Sequence, residues 1–294
     1  MAPAYIRAMS DETFIGRGGI SLAADVAGDP ADPPVVLLHG GGQTRHAWGS
    51  TLKVLTSRGW YAHSVDLRGH GESQWDPDGD YSIEAFSSDV KAIAATFDRP
   101  PALVGASLGG IASLIAVGET TETVASALVL VDIAPKIEHD GVGRIISFMT
   151  SNLDGFGSLE EVADSIAAYN PHRPRPTNLE GLKKNLRQRA DGRWIWHWDP
   201  RFVSGGRGSP DETRSSMTEP GRLQRAAMAL TLPVLLVRGR MSDLLSEEGA
   251  AELQQLVPHA EFVDVAGAGH MVAGDRNDVF TDAVATFLEK VRTA

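Results

Sequence analysis

The 294-residue chain has no cysteine. That absence excludes disulfides, thiol nucleophiles and Cys-based zinc sites together, so any catalytic nucleophile has to be an oxygen or a nitrogen. Positive charge is also in short supply. With 27 Lys+Arg against 38 Asp+Glu, the net charge of −11 repels a phosphate backbone, and nucleic acid is not an expected partner. No apolar run approaches the roughly 18 residues of a membrane-spanning helix, and Met1 to Ser10 lacks a basic-then-apolar leader, so no membrane partner and a cytoplasmic setting are expected. There is no H-E-x-x-H, no P-loop and no dinucleotide-binding G-x-G-x-x-G with an acidic partner, so neither a metal nor a cofactor is expected. What the chain does have is 42% hydrophobic residues, 31 Gly and 16 Pro, the make-up of a folded protein with a full core.

The order of apolar runs predicts the fold class. Thr13 to Arg17 and Ile20 to Val26, separated by Gly18-Gly19, read as a hairpin. From Val35 onward, short and largely apolar runs alternate with amphipathic stretches. The runs are Val35 to Leu38, Tyr61 to Val65, Ala102 to Gly105, Leu128 to Ile133, Val234 to Val237 and Phe262 to Val265. Such strands are buried on both faces, and with intervening helices such as Ile83 to Phe97 and Ile111 to Val117 they imply an α/β fold with a mostly parallel sheet. The alternation stops after Asp132 to Pro135 and resumes at Leu232-Pro233, which marks an insertion. Ser158-x-x-Glu161 and Thr177-x-x-Glu180 have capping-box spacing, so this insertion is expected to be helical. Its stretch Arg173 to Arg201 carries a local excess of five positive charges, read as a solvated face. Ser204 to Asp211 reads as a loop.

The strongest chemical signal is Gly105-Ala106-Ser107-Leu108-Gly109, a G-x-S-x-G between a buried strand and a helix. A serine on such a sharp turn exposes its hydroxyl, and the glycines are needed where a side chain would strike neighbouring backbone. A serine hydroxyl is a poor nucleophile until a base takes its proton, so a histidine and an orienting carboxylate must lie elsewhere. His270 follows the last apolar run in the glycine-flanked loop Ala266 to Met271 and is the expected base. Two carboxylates compete for the third role, each at the end of an apolar run: Asp243 after Val234 to Val237, and Asp132 after Leu128 to Val131. Asp243 is the preferred acid and Asp132 the alternative.

With His39-Gly40-Gly41-Gly42 after one strand and Asp66-Leu67-Arg68-Gly69-His70-Gly71-Glu72-Ser73 after the next, the chain resembles the α/β-hydrolases over nearly its whole length. It is most similar to the serine-nucleophile branch related to epoxide hydrolases, non-haem haloperoxidases and small esterases. The resemblance implies an α/β-hydrolase core formed by 1–135 and 220–294, and a helical cap at 136–219 inserted after the sixth strand. It implies an oxyanion hole from the N–H groups of Gly41 and Leu108. Arg68, Gly69, Gly71 and Asp66 are expected to brace a loop. His46, Trp48, Phe148, Trp194, Trp196 and Met271 are expected to line the substrate pocket, with Met149, Met217 and the rest of the alternating run Trp194 to Trp198 as further candidates. Ser107 stands where epoxide and halide chemistry uses aspartate, and with Tyr169 the only tyrosine of the insertion a cap tyrosine pair is missing, so both activities are excluded. The expected function is a serine hydrolase cleaving a small ester or related acyl substrate. Lactone opening, carbon–carbon bond hydrolysis and haloperoxidase or perhydrolase activity on the same residues are the alternatives, and a ligand receptor on this scaffold is the reading from another class. Oligomeric state is left open.

Overall fold

The computed structural model describes residues 10–169, 175–204, 221–270 and 277–293. Among these, eight strands form one sheet. They are β1 (Ser10–Ile15), β2 (Ser21–Ala27), β3 (Pro34–Leu38), β4 (Tyr61–Val65), β5 (Ala102–Ala106), β6 (Ala127–Val131), β9 (Val234–Gly239) and β10 (Glu261–Val265), and β7 and β8 lie apart in the insertion. Their order is β1-β2-β4-β3-β5-β6-β9-β10. β1 and β2 form the expected hairpin, β2 runs antiparallel to β4, and every pairing from β4 to β10 is parallel.

The unbroken apolar runs follow from this layering. Side chains alternate across a strand, so Val36 and Leu38 enter one apolar cluster while Val35 and Leu37 enter the other. The first cluster packs beneath the helices Ile83–Ala94, Leu108–Gly118, Arg222–Met228 and Glu247–Leu256; the second packs beneath Gly49–Ser57 and Thr281–Thr293. Helix starts are locally encoded. Ser82 and Ser246 accept the N–H groups of Ala85 and Gly249, and Glu247 and Glu248 add negative charge to the positive end of the helix dipole.

Between β6 and the helix Arg222–Met228 lie the helices His139–Thr150 and Leu159–Tyr169, with an apolar cluster of their own around Phe148, Phe156, Val162 and Trp196. Ser158 caps its helix, its hydroxyl accepting the Glu161 N–H at 3.2 Å, while the Glu161 carboxylate reaches back one residue further, to the Gly157 N–H at 2.7 Å. The second start shifts by one residue, to an Asn178 side chain that accepts the Gly181 N–H. The insertion also contains a strand pair that a purely helical reading misses, β7 (Leu186–Gln188) against β8 (Trp194–Trp196). Its turn contains Asp191-Gly192, with Gly192 in the left-handed region at φ 83°. That dipeptide beside the alternating tryptophans was the available signal. The loop Ser204 to Asp211 and Met217 lie outside the described residues apart from Ser204 itself.

Candidate active site

β5 delivers Ser107 onto a turn with φ 44° and ψ −113°, a conformation that costs a non-glycine residue about 1–3 kcal/mol and persists only where the surroundings impose it. They do so here. Ser107 N–H donates to Val131 O at 3.1 Å, and Gly109 N–H to His39 O at 3.2 Å. A Cβ on Gly105 would stand 2.5 Å from the Gly109 backbone, and one on Gly109 would stand 2.6 Å from Leu38 O, so both positions admit glycine alone. Leu108 opens the helix Leu108–Gly118, where first-turn N–H groups have no intrahelical acceptor.

The loop after β3 is held group by group. Gly40 N–H donates to Gln43 Oε1 at 2.9 Å and Gly42 N–H to His70 Nε2 at 3.1 Å. Gln43 in turn exchanges amide hydrogen bonds at 3.3 Å with the buried Asn277. His39 Nδ1–H donates to Gly40 O at 2.7 Å while its Nε2 accepts the Leu67 N–H at 3.0 Å; His70 repeats the pattern with Arg68 O at 2.9 Å. Among the described residues, the N–H groups of Gly41 and Leu108 have no acceptor. The bracing expected for 66–73 is present. Asp66 accepts the N–H groups of Arg45 and Glu72 and the Arg45 guanidinium, and Arg68 forks onto Asp89 at 2.6 and 2.7 Å.

Burial keeps both loop histidines neutral, lowering His39 to about 4 and His70 to about 3. An unfolded chain takes up these protons near pH 6.5. Unfolding therefore binds protons between that pH and the folded values, and stability is full above it and lost as pH falls, at up to ~1.4 kcal/mol per pH unit for each imidazole. His63 and His197, also lowered to about 4 by burial, act in the same direction. The denaturation midpoint is expected to drop steadily from pH 7 to pH 4.5. An unchanged midpoint would contradict the buried neutral assignment.

His270, on the loop after β10, is buried, and its Nδ1 lies 2.8 Å from Asp132 Oδ2. Ser107, His270 and Asp132 line one small cavity with Ala106, Val131, Asn277 and Phe280. The carboxylate that His270 meets is thus that of Asp132, the alternative acid, and not that of Asp243, the preferred one. Asp243 lies beyond the end of β9 and forms an ion pair with Arg144 of the helix His139–Thr150. Asp132 follows β6, the immediate neighbour of the nucleophile strand, and its φ of 54° turns it sharply off the strand end. Spacing along the chain puts either acid at a strand end; the left-handed turn and the distant Arg144 decide between them.

The expected pocket residues divide. Trp48 is wholly buried in the second core cluster with Leu52 and Trp60, so its apolar bulk serves the core. His46 lies 3.5 Å from the Asp25 carboxylate instead of facing Ser107's cavity. Phe148 and Trp196 belong to the insertion's own cluster, with Trp196 stacked on Trp198 at 5.0 Å, and half-buried Trp194 has the Lys183 ammonium 5.8 Å from its ring. Met271 lies outside the described residues. Among the described insertion residues, Met149 and Trp198 reach the loop after β3, 3.1 and 3.4 Å from where a Cβ on Gly42 would stand, as do Phe202, 3.6 Å from a Cβ on Gly41, and Asn185, whose side chain accepts the Thr44 hydroxyl at 3.2 Å. Phe202 had no sequence signal. It follows Asp199, whose carboxylate accepts the Tyr81 hydroxyl at 2.6 Å and so fixes this segment to the core.

The sequence model of the alpha/beta hydrolase family matches residues 35–283, most of the chain and every residue of this site. The chain belongs to the alpha/beta hydrolase family. It is 30% identical over 265 residues to an esterase of Mycobacterium tuberculosis, covering 87% of this chain and 83% of that protein. It is also 30% identical to a 3-hydroxybutyrate-oligomer hydrolase of Cupriavidus necator, covering 83% and 84%. The crystal structure of an E-2-(acetamidomethylene)succinate hydrolase superposes with a TM-score of 0.80 over 96% of this chain and 99% of that one, at 23% identity, a likeness of fold. Among the described residues of this family member, no helix is long and apolar enough to cross a membrane.

Proposed function

We propose that this alpha/beta hydrolase cleaves a small carboxylic ester or related acyl substrate through an acyl-enzyme on Ser107. The observation that carries the reading is the buried His270–Asp132 contact in the cavity that Ser107 lines. With Nδ1–H held by the carboxylate, Nε2 is the nitrogen left to act as a base. Ser107 Oγ attacks the carbonyl carbon as its proton passes to His270 Nε2. The tetrahedral oxyanion is received by the N–H groups of Gly41 and Leu108, neither of which has another acceptor among the described residues. Collapse breaks the ester C–O bond, and the alcohol leaves with the proton from His270. Water, deprotonated by the same nitrogen, then adds to the acyl carbon and releases the acid and Ser107.

In this reading the segment 136–219 is a cap over a core of 1–135 and 220–294. Its inner face supplies Phe202, Met149 and Trp198 above the oxyanion loop, which suits short acyl groups. Phe202→Ala is expected to raise kcat/KM for an octanoyl ester relative to an acetyl ester by at least about 10-fold, the scale of one methylene admitted to an apolar pocket. An unchanged ratio would remove Phe202 from the pocket wall. The reading itself is tested by turnover on p-nitrophenyl acetate and butyrate. Multiple turnovers that depend on Ser107 are expected, and an inert protein on these and on lactone and diketone substrates would overturn it.

A further inference from the structure

Asp132 has partners besides His270. Gly239 N–H donates to Oδ1 at 3.0 Å, and the Ser242 hydroxyl donates to Oδ2 at 2.7 Å, the same oxygen that faces His270. The direction of the Ser242 proton is not a free choice. Its oxygen accepts the N–H groups of Leu244 and Leu245, both at 3.2 Å. A hydroxyl has one proton and two lone pairs, so with both lone pairs engaged the proton is left pointing at the carboxylate.

The loop that holds Ser242 is itself fixed on three sides. Ser242 N–H donates to Gly239 O at 2.9 Å, Met241 N–H to Ala268 O in the histidine's loop at 2.8 Å, and Glu138 N–H to Leu244 O at 2.9 Å. Gly141 packs so closely on this loop that a Cβ would stand 2.4 Å from Asp243 O. With Gly239 N–H on Oδ1 and the Ser242 hydroxyl on Oδ2, the carboxylate is held about its last side-chain bond before His270 adds its own contact to Oδ2.

We propose that Ser242 is a positioning residue for hydrolysis: its committed hydroxyl, with Gly239 N–H, locks the Asp132 carboxylate so that Oδ2 stays aligned on His270 Nδ1. The proposal rests on the serine-hydrolase reading and adds a residue that touches neither substrate nor the reacting atoms.

The test measures kcat and KM on an ester that the parent protein turns over, with rates expressed per Ser107 titrated by a fluorophosphonate. That normalisation separates a loss of alignment from a loss of folded protein. Ser242→Ala is expected to lower kcat per titrated site by about 10- to 100-fold, the range of one hydrogen bond to a charged group, with KM within about 2-fold. Ser242→Thr, which keeps the hydroxyl, should restore kcat to within a few-fold. If the alanine variant fails to fold, Ser242→Cys decides, because a thiol is a weaker donor of similar size; kcat should fall at least about 5-fold. Full kcat per site in Ser242→Ala, or in Ser242→Cys where that variant decides, overturns the positioning role while leaving the hydrolase reading intact. A parent that neither turns over esters nor takes the label fails the hydrolase reading instead.

Discussion

Asp132→Asn is expected to lower kcat by roughly 10⁴-fold, the scale of the same exchange in serine proteases. An amide can present its NH₂ to His270 Nδ1, which places the imidazole proton on Nε2 and removes the base from Ser107. Asp132 N–H still donates to Val237 O at 2.7 Å, and the amide oxygen in the place of Oδ1 still accepts the Gly239 N–H, while the Ser242 hydroxyl loses its acceptor. Asp243→Asn is the matched control. Among the described residues its carboxylate meets an Arg144 that is 65% exposed, and ion pairs at the surface contribute ~0–1 kcal/mol, so kcat should stay within about 3-fold of the parent. Steady-state kinetics on one ester decides between the two acids, and a larger loss in Asp243→Asn than in Asp132→Asn would reverse the assignment.

Ser107→Ala is expected to abolish turnover, with kcat down by about 10⁶-fold, because no other atom takes the nucleophile's place. Stability should not suffer in proportion. The Ser107 hydroxyl makes no hydrogen bond among the described residues, and the backbone bond to Val131 O does not need it. Relief of side-chain crowding does not arise either, since alanine keeps the Cβ at the left-handed φ. A thermal midpoint close to that of the parent, together with lost turnover, is the expected pair of results. Retained turnover would move the nucleophile elsewhere.

The contrast between Ser107 and its acid explains what was legible from sequence. Ser107 was readable because one local pattern carries its whole requirement: a buried strand, two glycines where Cβ atoms cannot fit, and a helix. The parallel sheet was readable for a similar reason, since strands such as Val35 to Leu38 feed both clusters and have no polar face. Asp132 was ranked behind Asp243 because both carboxylates satisfy the same local rule, a short side chain at the carboxyl end of a parallel strand, and nothing local favours the earlier one. The choice depends on partners 138 residues away at His270 and 110 away at Ser242. Long-range partners also explain the pocket. Trp48 and Phe148 have the composition of a pocket wall, but apolar bulk near a catalytic loop fits a core equally well, and packing sends them there. Phe202 reaches Gly41 only because Asp199 and Arg201 tie their segment to Tyr81 and Asp76. The β7–β8 hairpin is a milder case: Asp191-Gly192 was visible, but three-residue strands leave too little period for it to outweigh the capping boxes around it.

Activation of Ser107 through His270 and Asp132 is tested, without knowledge of the natural substrate, by intact-protein mass after exposure to a fluorophosphonate. In labelling, Ser107 Oγ bonds to phosphorus and fluoride leaves, which adds one phosphonyl group per chain. A single adduct is expected on the parent protein and on Asp243→Asn, a greatly slowed adduct on Asp132→Asn, and none on Ser107→Ala. Equal labelling of the parent and Ser107→Ala, or a parent that stays unmodified while a small probe reaches the cavity, would contradict it.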